Sequence, residues 1–171
     1  MITIIGKNSK LYSALRSLLN KNELQEVSHT EIYSLDKLEI AIVFSFDKTS
    51  FRSNKKMLDA ILEKSPKKLI YISTTAIYSM HYTKGYAYPK IKKEIENYLL
   101  QHLNAHIVRV GLVEGLFNPS KFTGDIKYSP LELIAESIKN ILHEKYSQRI
   151  LEAWISKNFH NSNPFRRYVY S

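Results

Sequence analysis

Two patterns of apolar positions recur along the chain, and they predict strands and helices. Uninterrupted apolar runs indicate strands that are buried on both faces, as in a parallel sheet. Such strands are predicted at residues 2–5, 39–46, 68–73 and 105–110, with weaker ones at 24–27 and 149–155. Apolar residues that recur every three or four positions indicate amphipathic helices. These helices are predicted at residues 11–19, 54–64, 89–102 and 130–142.

Strands alternate with helices in this order, which favours right-handed βαβ units and an α/β fold with a doubly wound parallel sheet. In such folds, ligands bind beyond the carboxyl ends of the strands. The loops at those ends begin at Gly6, Ser28, Phe46, Thr74 and Gly111. A single domain is expected over residues 1–171, because no linker interrupts the pattern.

The C-terminal third of the sequence is less regular. Residues 112–128 contain two glycines and one proline, so a loop is predicted there. The next helix has a clear start, with Ser129 as N-cap, Pro130 in the first position and Glu132 three residues after the cap. The aromatic segment at 163–171 is expected to pack at the edge of the core.

Charge and composition narrow the classes of partner. The chain has 25 Lys and Arg against 16 Asp and Glu, a net charge of +9 that favours anionic partners. The basic residues are dispersed, so a solvated surface is favoured over a nucleic-acid interface. Cysteine is absent and the six histidines lack ligand spacing, so no metal site is predicted, and a reducing, cytoplasmic location is expected. No apolar run reaches about eighteen residues, so no membrane span is predicted.

Groups suited to proton transfer follow the strand predicted at 68–73. Ser73 and Thr74 supply hydroxyls at the end of that strand, and Tyr86 and Lys90 follow, four residues apart. On a helix this spacing places two side chains on one face. A nearby ammonium stabilises a phenolate, so the phenol can exchange a proton with a substrate hydroxyl or ketone. A surface tyrosine and lysine at chance spacing are the alternative interpretation.

The order of these pieces resembles the extended, sugar-nucleotide epimerase/dehydratase branch of the short-chain dehydrogenase/reductase superfamily. The likeness covers roughly residues 1–142 and rests on a strand, Gly6 and a helix, followed by LIYISTTAIYS, YAYPK and IVRVGLVEG. It implies a Rossmann-like doubly wound sheet with helices on both faces. It also implies three catalytic residues: Tyr86 as acid/base, Lys90 as its activator and Thr74 as donor to the substrate oxygen.

The cofactor loop of that family is Gly-x-x-Gly-x-x-Gly, and here Gly6, Ser9 and Tyr12 hold those places. The resemblance implies NAD or NADP as cofactor. The residues expected to bind it are Gly6, Ser9, Lys10, Leu11, Ser28, Phe46, Ser73, Lys90 and Val110. A tyrosine in the third place would either disturb the packing of helix on strand or point into the site. Ser28 follows the second strand, with no acidic residue there to hold the adenine ribose, which weakens a strict NAD preference.

The function implied by the resemblance is a NAD(P)-dependent epimerase or reductase acting on a carbohydrate, expected to be nucleotide-linked. Only the segments 112–130 and 150–171 remain for a much reduced substrate region, so the pocket is expected to be small, open or completed by a partner such as a second copy. The replacements at Ser9 and Tyr12 favour an alternative, a degenerate, non-catalytic protein that binds a nucleotide or a partner protein. Nucleic-acid binding through the basic surface ranks last.

Overall fold

Six parallel strands form the main sheet of the computed structural model, which describes residues 1–19, 24–79, 85–145 and 147–159. The strands of both sheets are β1 (Ile2–Ile5), β2 (Leu24–Val27), β3 (Ile40–Val43), β4 (Lys68–Thr74), β5 (Ala105–Val110), β6 (Leu112–Val113), β7 (Gly124–Ser129), β8 (Ile150–Ala153) and β9 (Ile155–Phe159). The main sheet has the order β2-β1-β3-β4-β5-β8, with every neighbouring pair parallel. This order reverses between β1 and β3, which marks the point where α/β folds bind their ligands.

Helices connect these strands and cover the sheet. They are α1 (Lys10–Leu15), α2 (Phe51–Leu62), α3 (Tyr88–Leu99) and α4 (Leu131–Leu142). Short 3₁₀ turns occur at Glu31–Ser34, Thr75–Ser79 and Pro119–Lys121. Within the described ranges, no helix combines the length and the apolar character needed to cross a lipid bilayer.

The main sheet separates two apolar cores. On one face, α2 and α3 pack through residues such as Leu58 and Ile95 against Ile5 of β1. On the other face, α1 and α4 pack through residues such as Ile138 against Ile4. Successive strand residues enter opposite cores because strand side chains alternate in direction. The uninterrupted apolar runs therefore serve both cores, and the predicted doubly wound sheet with helices on both faces is confirmed.

A second, smaller sheet consists of β6, β7 and β9, in which β6 runs parallel and β9 antiparallel to β7. It is joined to the main sheet at Gly111, where an added Cβ would lie 2.1 Å from the backbone oxygen of Lys127. The Ser129 hydroxyl accepts a hydrogen bond from the Gly111 N–H (2.7 Å) and donates one to the Ala153 carbonyl (2.6 Å). These contacts fix the second sheet beside the carboxyl ends of β5 and β8.

Two predictions for the C-terminal third were wrong. The loop predicted at 112–128 contains β6, a 3₁₀ turn and most of β7. Ser129 does not cap α4, because its hydroxyl is used in the contacts between the sheets, and Pro130 holds the cap position without a side-chain hydrogen bond. The aromatic segment 163–171 lies outside the described residues.

Other differences concern the ends of elements. The first helix ends at Leu15, earlier than predicted. The third strand ends at Val43, so Phe46 lies in the segment that follows it. The second helix begins at Phe51, where the Ser50 hydroxyl accepts a hydrogen bond from the Ser53 N–H (3.0 Å). The predicted strands and helices are otherwise found in the predicted order.

Candidate active site

A cavity of about 390 Å³ lies beyond the carboxyl ends of the main sheet, at the switch point between β1 and β3. Its lining consists of Gly6, Asn8, Ser9, Leu11, Ser28, His29, Phe44, Ser45, Phe46, Lys48, Ile72, Ser73, Tyr88, Lys92 and Val110. Among the described residues, no carboxylate belongs to this lining. Lys48 and Lys92 contribute ammonium groups and His29 contributes an imidazole. The cavity therefore favours an anionic ligand.

Gly6 forms the turn at the end of β1. Its φ of +101° is in the region that favours glycine, and an added Cβ would lie 2.6 Å from the backbone nitrogen of Ser45. The backbone N–H groups of Gly6 and Lys7 both donate to the Val27 carbonyl, at 2.9 and 3.1 Å. The turn is thus fixed between the ends of β2 and β3. A glycine here lets a ligand approach the backbone closely.

Tyr88 and Lys92 lie on successive turns of α3, and both line the cavity. The buried Lys92 Nζ donates to the Tyr71 hydroxyl and to the Ile72 carbonyl, both at 2.9 Å. It also stands 4.2 Å from the ring centroid of Phe46 and 4.4 Å from that of Tyr71. The Phe46 ring meets Tyr88 edge-on, with centroids 5.2 Å apart. An aromatic enclosure therefore holds both side chains in place.

Burial changes the proton affinity of both groups. It lowers the pKa of the Lys92 ammonium from 10.5 to about 7, and the nearby Glu96 carboxylate opposes this change. Burial also raises the pKa of the Tyr88 phenol above 10, against a hydrogen bond with Thr74 that lowers it. Tyr88 is therefore protonated near neutral pH, as a proton donor must be.

A buried polar network supports α3 from below the cavity. Ser73 Oγ donates to Glu96 Oε1 at 2.7 Å. Arg109 binds the same carboxylate with two nitrogens, at 3.1 and 2.7 Å, and donates through Nη1 to the Tyr78 hydroxyl (2.8 Å) and to Glu152 (3.0 Å). A paired and hydrogen-bonded carboxylate can remain charged without contact with water. The network joins α3 to β4 and β5, and so fixes the turn that carries Lys92.

Most of the residues predicted to bind the cofactor line this cavity. These are Gly6, Ser9, Leu11, Ser28, Phe46, Ser73 and Val110. Lys10 and Lys90 are exposed and do not belong to the lining. Thr74, the predicted donor to the substrate, is buried at the end of β4, where its Oγ1 accepts a hydrogen bond from the Ala76 N–H (3.1 Å).

Tyr86 and Lys90, by contrast, are not brought to the cavity. Tyr86 precedes α3, is 55% exposed and stacks on Tyr88 with ring centroids 5.7 Å apart. The sequence contains two overlapping Tyr-x-x-x-Lys pairs, and Tyr88 with Lys92 is the pair that lines the cavity. Helical phase is the signal that distinguishes them, because Lys92 shares a face with the buried Ile95, three residues further on.

Tyr12 does not point into the site, although it holds the third place of the glycine loop. Its side chain is fully buried in the core beneath α1 and α4, 5.3 Å from the Phe44 ring. Its hydroxyl donates to the Glu26 carboxylate, and burial followed by this contact raises the pKa of Tyr12 to about 12. The tyrosine therefore leaves the cavity free.

No protein-family model matches the sequence, and a comparison with curated proteins finds no match. Solved structures do resemble it. A dTDP-4-dehydrorhamnose reductase from Clostridium acetobutylicum gives a TM-score of 0.69 at 14% identity, over 94% of this chain and 76% of that chain. A dTDP-glucose 4,6-dehydratase from Bacillus anthracis, solved in complex with NAD, gives 0.66 at 11% identity, over 92% and 77%.

A third similar structure is a wide-type short-chain dehydrogenase/reductase from Veillonella parvula, solved in complex with NADP. Its TM-score is 0.64 at 13% identity, over 96% of this chain and 98% of that chain. At these identities the likeness establishes a shared fold. The described part of the chain contains no group of three or more His, Cys, Asp or Glu residues that could hold a metal ion.

Proposed function

We propose that the protein is a NAD(P)-dependent oxidoreductase or epimerase acting on a carbohydrate, with Tyr88 as the acid/base residue. One observation carries the proposal: Tyr88 and Lys92 line the same cavity as the Gly6 turn and as Ser73, which directly precedes Thr74. The roles that the sequence pattern suggested for Tyr86 and Lys90 are therefore assigned to Tyr88 and Lys92.

The residues that would hold a dinucleotide are those of the cavity lining. The Gly6 turn allows close approach of a diphosphate to the backbone, and Lys48 adds positive charge. The absence of carboxylates from the described lining fits a cofactor that carries phosphate groups. Ser28 lies at the end of β2, where the adenine ribose binds in folds of this type. A bound nicotinamide would supply or accept the hydride.

Side chains of the protein would transfer the proton. Tyr88 holds a proton on its phenol and would donate it to the carbonyl oxygen of the substrate as that oxygen gains negative charge. The positive charge of Lys92, which lines the same cavity, would stabilise the phenolate that remains. The Thr74 hydroxyl would donate a hydrogen bond to the same substrate oxygen and so orient it. In the reverse direction the Tyr88 phenolate accepts a proton from a substrate hydroxyl.

The carbohydrate class rests on the similar structures. Two of them are named for dTDP-linked sugars, the dTDP-4-dehydrorhamnose reductase and the dTDP-glucose 4,6-dehydratase. This shared fold supports a sugar as the substrate of this chain, and a nucleotide-linked sugar within that class.

The test combines binding and turnover. Calorimetry with NAD⁺, NADH, NADP⁺ and NADPH measures whether the cavity holds a dinucleotide. A panel of nucleotide-linked sugars then measures hydride transfer by absorbance at 340 nm in the wild type, Tyr88→Phe and Tyr86→Phe. Loss of a positioned acid/base is expected to lower kcat by about 10²-fold or more in Tyr88→Phe, with dinucleotide affinity unchanged.

Tyr86→Phe is the matched control, because it removes the same hydroxyl two residues away and keeps the stacked ring. It should stay within a few-fold of the wild type. An equal loss in both variants would contradict the role of Tyr88. No dinucleotide binding at millimolar concentration would overturn the proposal, whereas binding without turnover of any sugar would favour a non-catalytic nucleotide-binding protein.

A further inference from the structure

A second cavity, of about 310 Å³, lies at the amino ends of the first three strands, on the face of the main sheet that α1 and α4 cover. The first cavity lies beyond the carboxyl ends of the same strands, so the two spaces are at opposite ends of the sheet. The described residues that line the second cavity are Met1, Ile2, Leu19, Leu24, Glu39, Ile40, Ile42, Lys139, Leu142 and His143. Most of these side chains are apolar.

Three neighbouring strands form the floor of this cavity. Leu24 of β2 and Ile40 of β3 are both in register with Ile2 of β1. Adjacent strands lie about 4.8 Å apart, so these side chains form an apolar row about 10 Å wide. All three are only partly buried, because α1 ends at Leu15, which does not belong to the lining. The row is therefore apolar surface that no described helix covers completely.

The last turn of α4 forms the rim of the cavity. Leu142 adds apolar surface there, and Lys139 and His143 are exposed one turn apart. Among the described residues, no Asp or Glu oxygen lies within 4.0 Å of the Lys139 Nζ. The rim therefore carries an ammonium group whose charge is available to a ligand.

The negative groups near this rim already have partners. Glu39, which also lines the cavity, pairs with the amino group of Met1 and with Lys67 Nζ at 3.1 Å. The carbonyl groups of Ile141 and Leu142, at the C-terminus of α4, accept hydrogen bonds from Lys68 Nζ at 2.8 and 3.4 Å. The Lys139 charge is therefore not needed to balance either the carboxylate or the end of the helix.

We infer that the second cavity binds an amphipathic carboxylate, a fatty acid of medium chain length, with its hydrocarbon chain on the apolar row and its carboxylate at Lys139. Covering apolar surface with an apolar chain is favourable in proportion to the area removed from water. The volume is at the lower end of the range for ligand pockets, roughly 300–1,000 Å³, which suits one unbranched chain. An ammonium forms charge-assisted hydrogen bonds with a carboxylate. The inference does not depend on the proposed function, because it concerns the other end of the sheet.

The experiment separates recognition of the charge from recognition of the chain. Calorimetry measures the affinity of octanoate and of octanol, which has the same chain without the carboxylate, for the wild type, Lys139→Met and Lys145→Met. Lys145→Met is the matched control, because Lys145 is an exposed lysine just after the same helix and does not belong to the lining.

Octanoate should bind the wild type and Lys145→Met saturably and with equal affinity. Lys139→Met should bind it about three- to fivefold more weakly, the size expected for an ion pair that is partly exposed to water. Octanol should bind all three proteins with equal affinity. This pattern would support recognition of the carboxylate by Lys139.

Two further measurements test the apolar row. Hexanoate should bind the wild type about tenfold more weakly than octanoate, because each buried methylene contributes a factor of about four. Ile40→Phe fills the cavity from its floor and should weaken octanoate and octanol by at least about tenfold, with urea denaturation showing that the variant is folded. The chain-length comparison uses the wild type alone, so it decides the point even if Ile40→Phe does not fold.

Equal octanoate affinity in the wild type and Lys139→Met would overturn the inference, as would equal affinity for hexanoate and octanoate. Octanoate binding that does not saturate would overturn it as well, because it would indicate partition into the protein without a site. Failure of the proposed function gives a different result: no dinucleotide binds, while the octanoate measurements still report on the second cavity.

Discussion

Lys92 is buried against the Tyr71 hydroxyl, the Ile72 carbonyl and the rings of Phe46 and Tyr71. Desolvation disfavours the charged form of a lysine, which is why its pKa falls to about 7. The same residue would need its charge to stabilise a Tyr88 phenolate. Its protonation therefore connects stability with the proposed chemistry.

The free energy of unfolding should depend on pH differently in the wild type and in Lys92→Met. Between about pH 7 and 10.5 the unfolded chain keeps the Lys92 proton and the folded chain does not, so this free energy rises with pH. Relative to high pH, the folded state loses stability as the pH falls towards 7, and the loss is constant below that. Lys92→Met lacks this titration, and chemical denaturation across the range should give a flatter curve.

Lys90→Met serves as the control for this measurement, because Lys90 is exposed on the same helix. Its curve should run parallel to that of the wild type. If the curve of Lys92→Met also ran parallel to the wild type, the lowered pKa of Lys92 would be contradicted.

At the scale of single residues, the sequence indicates which kinds of side chain form the site, but it identifies the individual residues less well. Gly6, Ser28 and Ser73 were expected at the carboxyl ends of predicted strands, and all three line the cavity. The Tyr-x-x-x-Lys spacing occurs twice within seven residues, and spacing alone does not distinguish the two pairs. The choice depends on where α3 begins and which of its faces is buried, and tertiary packing decides both.

At the scale of elements, Gly111 determines how the second sheet sits beside the first. Its backbone is not in the left-handed region, so its need for glycine is purely steric: an added Cβ would lie 2.1 Å from the Lys127 oxygen. Gly111→Ala should destabilise the protein by about 1–3 kcal/mol, the usual cost of overpacking. Urea denaturation measures this loss, and Trp154 emission should change because β7 must move.

Gly115→Asn is the matched control for that prediction. Gly115 has a φ of +72°, which asparagine tolerates, and nothing lies within 4 Å of its added Cβ. Its stability should stay within about 0.5 kcal/mol of the wild type, as for other surface changes. An equal loss in both variants would mean that flexibility, rather than the contact with Lys127, explains the effect.

The second sheet is also the element that the sequence pattern did not predict. β6 has two residues, and β7 pairs with β9, which lies about thirty residues further along the chain. Short strands of mixed polarity give no clear period, and their stability comes from cross-strand contacts between distant segments. The pattern Ser129-Pro130-Leu131-Glu132 correctly indicated the start of a helix. The Ser129 hydroxyl, however, forms hydrogen bonds with Gly111 and Ala153 instead of capping that helix. The long apolar strands were predictable because burial on both faces leaves a local signature.

At the scale of the whole molecule, the topology brings the ends of five strands, β1 to β5, to one cavity, and the net charge of +9 gives the molecule a positive field. Anionic ligands are attracted by such a field, which salt weakens. Among the described residues that line the first cavity, none carries a carboxylate. Ser28 stands at the position where an acidic residue would repel a 2′-phosphate. From these features we predict tighter binding of NADP⁺ than of NAD⁺.

Thermal unfolding tests this preference on the intact protein. A ligand that binds only the folded state stabilises it according to its affinity, so a tenfold tighter dinucleotide adds about 1.4 kcal/mol at saturation. For a chain of this length, that corresponds to a Tm about 3–6 °C higher with NADP⁺ than with NAD⁺ at equal concentration. The difference should shrink as salt is added, because phosphate recognition is electrostatic.

Ser28→Asp should reverse the order, because a carboxylate at the end of β2 accepts a hydrogen bond from a ribose hydroxyl and repels a 2′-phosphate. Ser34→Asp adds the same charge in the exposed 3₁₀ turn after β2 and should keep the wild-type order. If NAD⁺ raised the Tm of the wild type more than NADP⁺ did, the cavity would be selecting its ligand by contacts other than charge. The position of Ser28 would then have no part in the choice of cofactor.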